Sequence, residues 1–472
     1  MIRPARMTRD SIGSVAAGHR NGWRDPVLLL VGAAIFGWIV VEQPSLALLG
    51  VAIAPGALLL VSPLARVVLM ALGPIVFFGG TAEFTAPKQL FLFAAGAAFA
   101  GSFLRSRGLH GTSEYRALRP LIVASTAFFV LAGLSFVVAH IGAIALKPWL
   151  RDVSPYLLFA TAPYFALDAA TSITGRRLQL LLACAGLLGA FAFAVTWSNN
   201  RGITHLPITW IGFPTVLLPA ALASYAAAAA LQGRRRAGVW IVLAAMCFTL
   251  LASTGTRSAL VLLASPVAIV FAAPRNLFRR ALRLSLGLPL AALAVLGLLA
   301  SVITIANANT TVLRDRRATL YQSGSTVDRS YLDRLSQSRA SLAAFHSSPL
   351  VGTGPGVPIE WHNSFGKLKS TSTVDSPFGY LAKFGFAGLI PLVVLVGSFI
   401  VFVRRLARSP TVLTSRLALV GFGVVVVLWS ILNVPFEDKG FPVGFMLLIA
   451  IAAVELRDAR AEPTSEPDNP DS

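Results

Sequence analysis

The chain has 472 residues, of which 56% are hydrophobic and only 13% charged. A soluble protein cannot hide that much apolar surface, so the composition calls for an all-α, polytopic bundle of transmembrane helices. The formal net charge of +20 does not point to a nucleic-acid partner, because the basic residues lie in short clusters between apolar runs, where they orient helices rather than line a groove.

Residues 1–26 are basic and polar with no apolar core, which reads as a cytoplasmic N-terminus rather than a cleaved signal peptide. Eleven apolar runs follow between residues 27 and 305, at about 27–41, 44–62, 66–79, 89–104, 120–140, 154–171, 178–196, 207–231, 237–253, 258–273 and 284–305. A long polar segment occupies 306–376, and three more runs follow at 377–403, 415–433 and 442–456. Several runs are shorter than the roughly 20 residues that span a bilayer, so the expected count is twelve to fourteen helices. The tail 457–472 is acidic and Pro-rich and is expected to be disordered. Cys184 and Cys247 both fall in apolar runs and suggest neither a disulfide framework nor a metal site.

The distribution of basic residues orients the bundle. With the N-terminus inside, twenty-five of the forty Lys and Arg residues fall in the inner segments and six in the short outer loops. Segment 306–376 then lies outside and both termini lie in the cytoplasm. In so apolar a chain, polar residues kept together are the place to look for function. This segment holds six arginines, the turn-rich run Ser348–Gly356 and the dipeptide His362-Asn363.

His362 is the candidate base, since an imidazole accepts a proton near neutral pH and suits activation of a hydroxyl. Asn363 beside it orients a polar neighbour; the plainer alternative for both is an exposed loop. His346, in Leu342-Ala-Ala-Phe-His, reads as a helix-face residue. Arg257 sits in the tight outer connection Ser253-Thr-Gly-Thr-Arg-Ser258. It is either an arginine anchoring a helix end or a bidentate ligand for a phosphate. Arg201 occupies a similar outer edge one hairpin earlier. Asp333–Phe345 reads as a helix carrying Arg334, with Arg329 just before it. Those arginines form either a solvated face or part of an anion site. Gly352, Gly354 and Gly356 allow a tight turn after that helix, and a weaker case makes them an anion-binding nest. No metal-ligand spacing is evident, and the outer acids, among them Asp152, Asp375, Glu437 and Asp438, look scattered.

Two regions resemble the O-antigen ligase and O-antigen polymerase superfamily of bacterial envelope proteins. One is Ser253-Thr-Gly-Thr-Arg-Ser-Ala-Leu. The other runs from about 328 to 390: Asp333-Arg334, Arg339-Ala340, Pro349–Gly356, His362-Asn363 and Leu381-Ala-Lys-Phe-Gly-Phe-Ala-Gly-Leu389. The resemblance implies a glycosyltransferase of the bacterial inner membrane that needs no metal or cofactor. It would transfer or polymerise a glycan from an undecaprenyl-diphosphate-linked oligosaccharide onto a glycan or lipid acceptor outside the membrane. Carried over, Arg257 and Arg334, flanked by Arg201 and Arg329, would bind the diphosphate, and His362 would position or deprotonate the acceptor, with Asn363 and Gly354 in support. The family's His-Asn slot leads directly into the following helix; counted back from Leu381, Val374-Asp375 fill it here. Either the loop carries an insertion after His362 or Asp375 takes the polar role. Ligase and polymerase share these residues. A transporter or flippase for a lipid-linked glycan is the alternative class, with Glu42 and Asp168 as its candidate membrane acids.

Overall fold

The computed structural model describes residues 56, 58–77, 86–199, 215–233, 237–253, 261–279, 282, 329–363, 366–371, 376–409, 412–431 and 433–461. The chain divides into two units, Met1–Val61 and Ser62–Ser472. Of the first, only a short helical stretch at its end is described. The apolar runs at 27–41 and 284–305, and most of 44–62, lie outside the described residues.

The described residues of the second unit are almost all helical. Its described helices are α1 (Pro63–Phe77), α2 (Ala86–Gly108), α3 (Ser113–Ile141), α4 (Leu146–Ser172), α5 (Gly175–Asn199), α6 (Leu217–Leu231), α7 (Ala237–Ser253) and α8 (Ala264–Ala272). After a gap come α9 (Arg329–Ser347), α10 (Gly379–Phe384), α11 (Leu389–Leu406), α12 (Leu413–Ser430) and α13 (Gly440–Ala461). Among the described residues, five stretches are long and apolar enough to cross a membrane: Ser113–Ile141, Gly175–Thr196, Phe386–Leu406, Leu413–Ser430 and Gly440–Ala459. The fold is therefore a multipass helical membrane bundle.

Packing sorts these helices into centre and rim. In α13, 89% of the apolar span is buried, against α4, α5 and α6. Small residues make that approach possible. A Cβ built on Gly444 would stand 2.8 Å from the Ala221 Cβ, so the facing helix α6 leaves no room for a side chain there. In α11 only 17% of the span is buried, and Ile390, Val393, Val396 and Ile400 point outward. An apolar stripe of that extent is stable where lipid replaces water.

Three expectations are corrected. The run 377–403 is not one helix. It breaks at Gly385, whose φ of 58° ends α10, and a 3-10 turn at Phe386–Gly388 leads into α11. The His362-Asn363 part of segment 306–376, expected as loop in an all-α fold, instead forms an antiparallel hairpin, β1 (Ile359–Asn363) with β2 (Gly366–Ser370). Finally, α13 runs on to Ala461, so the first residues of the supposed disordered tail are helical. Acids and arginines near its end, Glu455 and Arg457, find partners on α12 and α4 that hold the last turns.

The break at Gly385 is enforced by contact as well as conformation. A Cβ there would meet the Gly352 nitrogen at 2.5 Å and the Leu350 carbonyl carbon at 2.6 Å, all backbone. Gly385→Ala is expected to lower stability by roughly 1–3 kcal/mol, the sum of a left-handed Ala and a displaced strand of backbone. Thermal unfolding in detergent checks this; an unchanged midpoint would mean that the turn at 349–356 is free to shift.

Candidate functional site

The polar segment returns to the bundle through a backbone braid. After α9, the run Pro349–Gly356 folds back with Gly352, Gly354 and Gly356 at φ of 71°, 92° and 89°, a region open to glycine and strained for other residues. Its amides then reach α10: Thr353 N–H donates to the Ala382 carbonyl at 2.8 Å and Gly354 N–H to that of Lys383 at 3.2 Å. In return, Phe386 N–H donates to Pro349 at 2.8 Å and Ala387 N–H to Leu350 at 2.9 Å. The nest is therefore already filled by the chain's own acceptors.

Beneath this braid lies a buried ion cluster. Lys383 is 3% exposed, and its ammonium sits 2.8 Å from Glu437 and 3.4 Å from Asp152. Burial disfavours that charge, but the two carboxylates outweigh it and hold the lysine above its ordinary pKa. Asp152, on α4, also accepts from Gly356 N–H at 2.9 Å and from the Thr371 hydroxyl at 2.8 Å. The Arg151 guanidinium donates to the same Thr371 oxygen. Next along the chain, Asp438 accepts from Val216 N–H, Leu217 N–H, Gly440 N–H and the Thr215 hydroxyl. One carboxylate thus serves the amides that open α6 and α13. Burial, then the Lys88 charge, pull the half-buried Lys439 ammonium down to about 7. An aromatic layer supports the cluster, with Tyr156 packed on Phe384 at 4.9 Å and on Phe436 at 5.6 Å. Among the described residues, the Tyr156 hydroxyl is buried without a hydrogen-bond partner.

A second cluster closes the opposite end of α4. Asp168 takes Arg66 at 2.6 Å, the Ser102 hydroxyl, and Arg105 at 3.6 Å. These contacts join α1, α2 and α4, with both Arg66 and Asp168 almost fully buried. Asp168, the acid singled out for a transporter, is thus committed to a helix clamp.

The sequence candidates divide three ways. His362 lies on β1, exposed, opposite Lys367. Glu360 shares its strand face and pairs with Lys367 at 2.6 Å and Lys369 at 3.2 Å, and those two lysines hold its carboxyl below the usual range. Asn363 ends β1 opposite Gly366. Arg334 is half-buried on α9, which packs along β1, so Arg334 and His362 sit on neighbouring elements. Arg329 opens α9, and Gly354 lies in the braid. His346 is exposed on α9 beside Phe345, as its helix pattern suggests. Arg257, Arg201 and Asp375 lie outside the described residues.

The sequence reading missed Lys383, Asp152, Glu437 and Thr371 as a unit. One signal was available: Lys383 is a lone cation in the apolar run Leu381–Leu389, and a cation so placed needs an acid to meet it. No protein-family model matches the chain, and no curated protein matches it either.

Proposed function

We propose that this protein is an integral-membrane glycosyltransferase of the O-antigen ligase and polymerase kind, working on the extracytoplasmic face of the bacterial inner membrane with both termini in the cytoplasm. One observation carries the reading. Two segments that bear the resemblance, Pro349–Gly356 and Leu381–Leu389, braid together into one unit, with α9 and the His362 hairpin attached to it.

In this reading the donor is a glycan on undecaprenyl diphosphate. Arg257 and Arg334, flanked by Arg201 and Arg329, grip the diphosphate through planar guanidinium forks. His362, or Asp375 in its stead, takes the proton from the acceptor hydroxyl. The acceptor oxygen bonds to the anomeric carbon as the bond from that carbon to the diphosphate oxygen breaks. The lipid diphosphate leaves with the electron pair, its charge balanced by the arginines. Asn363 and Gly354 support the hairpin and the turn. The buried Lys383 cluster sits below this layer and fixes its seat.

The test is reconstitution in liposomes with a lipid-diphosphate oligosaccharide and a glycan acceptor. A new glycosidic product with released lipid diphosphate is expected. Donor that crosses the bilayer intact, with no new bond, would replace this reading with the flippase.

A further inference from the structure

We infer that Asp152 is a positioning residue: one carboxylate on α4 holds both feet of the hairpin that presents His362. The geometry is specific. Oδ2 of Asp152 accepts from the Gly356 amide at 2.9 Å, three residues before β1 begins. Oδ1 accepts from the Thr371 hydroxyl at 2.8 Å, on the first residue after β2 ends. The two oxygens thus take one contact from each side of the same hairpin. Arg151 backs the second foot through Thr371, and the Lys383 ammonium pairs with Oδ2 of Asp152 at 3.4 Å.

Among the described residues, the hairpin is held at its feet, by the buried Ile359 and by its packing on α9, while its second strand faces outward. Lys367, Leu368 and Lys369 are exposed, and a two-stranded ribbon alone is marginally stable. Its orientation therefore depends on where its ends are pinned, and a small error at the ends becomes a displaced imidazole at the tip. Placement at this level governs rate rather than binding. The role in catalysis rests on the transferase reading above; the anchoring itself does not.

Asp152→Asn separates the two. The amide keeps its shape and one acceptor, but it cannot accept at both feet and no longer carries charge toward Lys383. In the full chain in liposomes, backbone hydrogen exchange over 357–371 is expected to quicken about tenfold or more, the usual consequence of losing a charge-assisted hydrogen bond. Exchange over 440–456 in α13 should stay as it was. Transfer should slow about tenfold at unchanged donor KM, with partial recovery in Asp152→Glu. Thr371→Val, which removes one foot and leaves the buried ions intact, should loosen the same amides less. Unchanged exchange over 357–371 in both variants would overturn the anchoring. Looser exchange with wild-type turnover would overturn the positioning role. Looser exchange in a protein whose wild type transfers no glycan would leave the anchor standing and remove the transferase.

Discussion

Lys383→Met is expected to lower stability by about 3–5 kcal/mol, the cost of leaving buried carboxylates without their cation. Methionine fills much of the same space, so the loss is electrostatic rather than a cavity. Asp152 and Glu437 are 5% and 7% exposed in their ion pairs and would face each other with that charge unbalanced. Membrane accumulation and the thermal midpoint in detergent should both fall sharply. A second change distinguishes this from a packing defect. Lys383→Met with Glu437→Gln removes one cation and one anion together, leaving Asp152 its contacts from Gly356 and Thr371. The double variant should regain more than half of the lost stability. A single variant that melts like the wild type would show that the ions contribute little.

Arg257→Lys is expected to lose most transfer activity while the protein still accumulates. Lysine keeps the charge but not the planar fork, so it is not conservative at a bidentate site. Losing such a contact costs on the order of 2–4 kcal/mol of transition-state stabilisation, or roughly 30- to 1000-fold in rate. In the sequence Arg257 follows the α7 terminus at Ser253 by four residues, within Ser253-Thr-Gly-Thr-Arg-Ser258. Turnover measured against membrane abundance decides it. Near-normal rates would make Arg257 a helix-end anchor.

The bundle was legible because apolar runs advertise membrane helices over their whole length. The spans at 89–104, 120–140, 154–171 and 237–253 all fall within described helices. The helix read at Asp333–Phe345 likewise lies inside α9, and the glycine turn follows it. The break at Gly385 was not legible. Phe384-Gly-Phe386 is as apolar as its surroundings, and the need for a left-handed residue arises from Leu350 and Gly352, more than thirty residues earlier. The hairpin was hidden for a similar reason, since Glu360, His362, Lys367 and Lys369 are ordinary loop residues until their strands pair. Least visible was the ion cluster. Asp152 and the two groups that hang from it, Gly356 and Thr371, are separated by 204 and 219 residues, and local pattern carries no record of such a meeting. Its acids looked scattered because they are scattered in the chain and converge only in the fold.

The central claim is that the outer segment performs the chemistry, and one paired measurement reaches it most directly: product formed from a lipid-diphosphate glycan by His362→Ala and Asp375→Ala, beside the wild type. Loss of a general base costs roughly 100-fold or more in turnover, with donor binding held by the arginines. The account predicts that loss in His362→Ala and a mild effect in Asp375→Ala; the reverse pattern would move the base to 375 within the same segment. Wild-type rates from both variants would contradict the account.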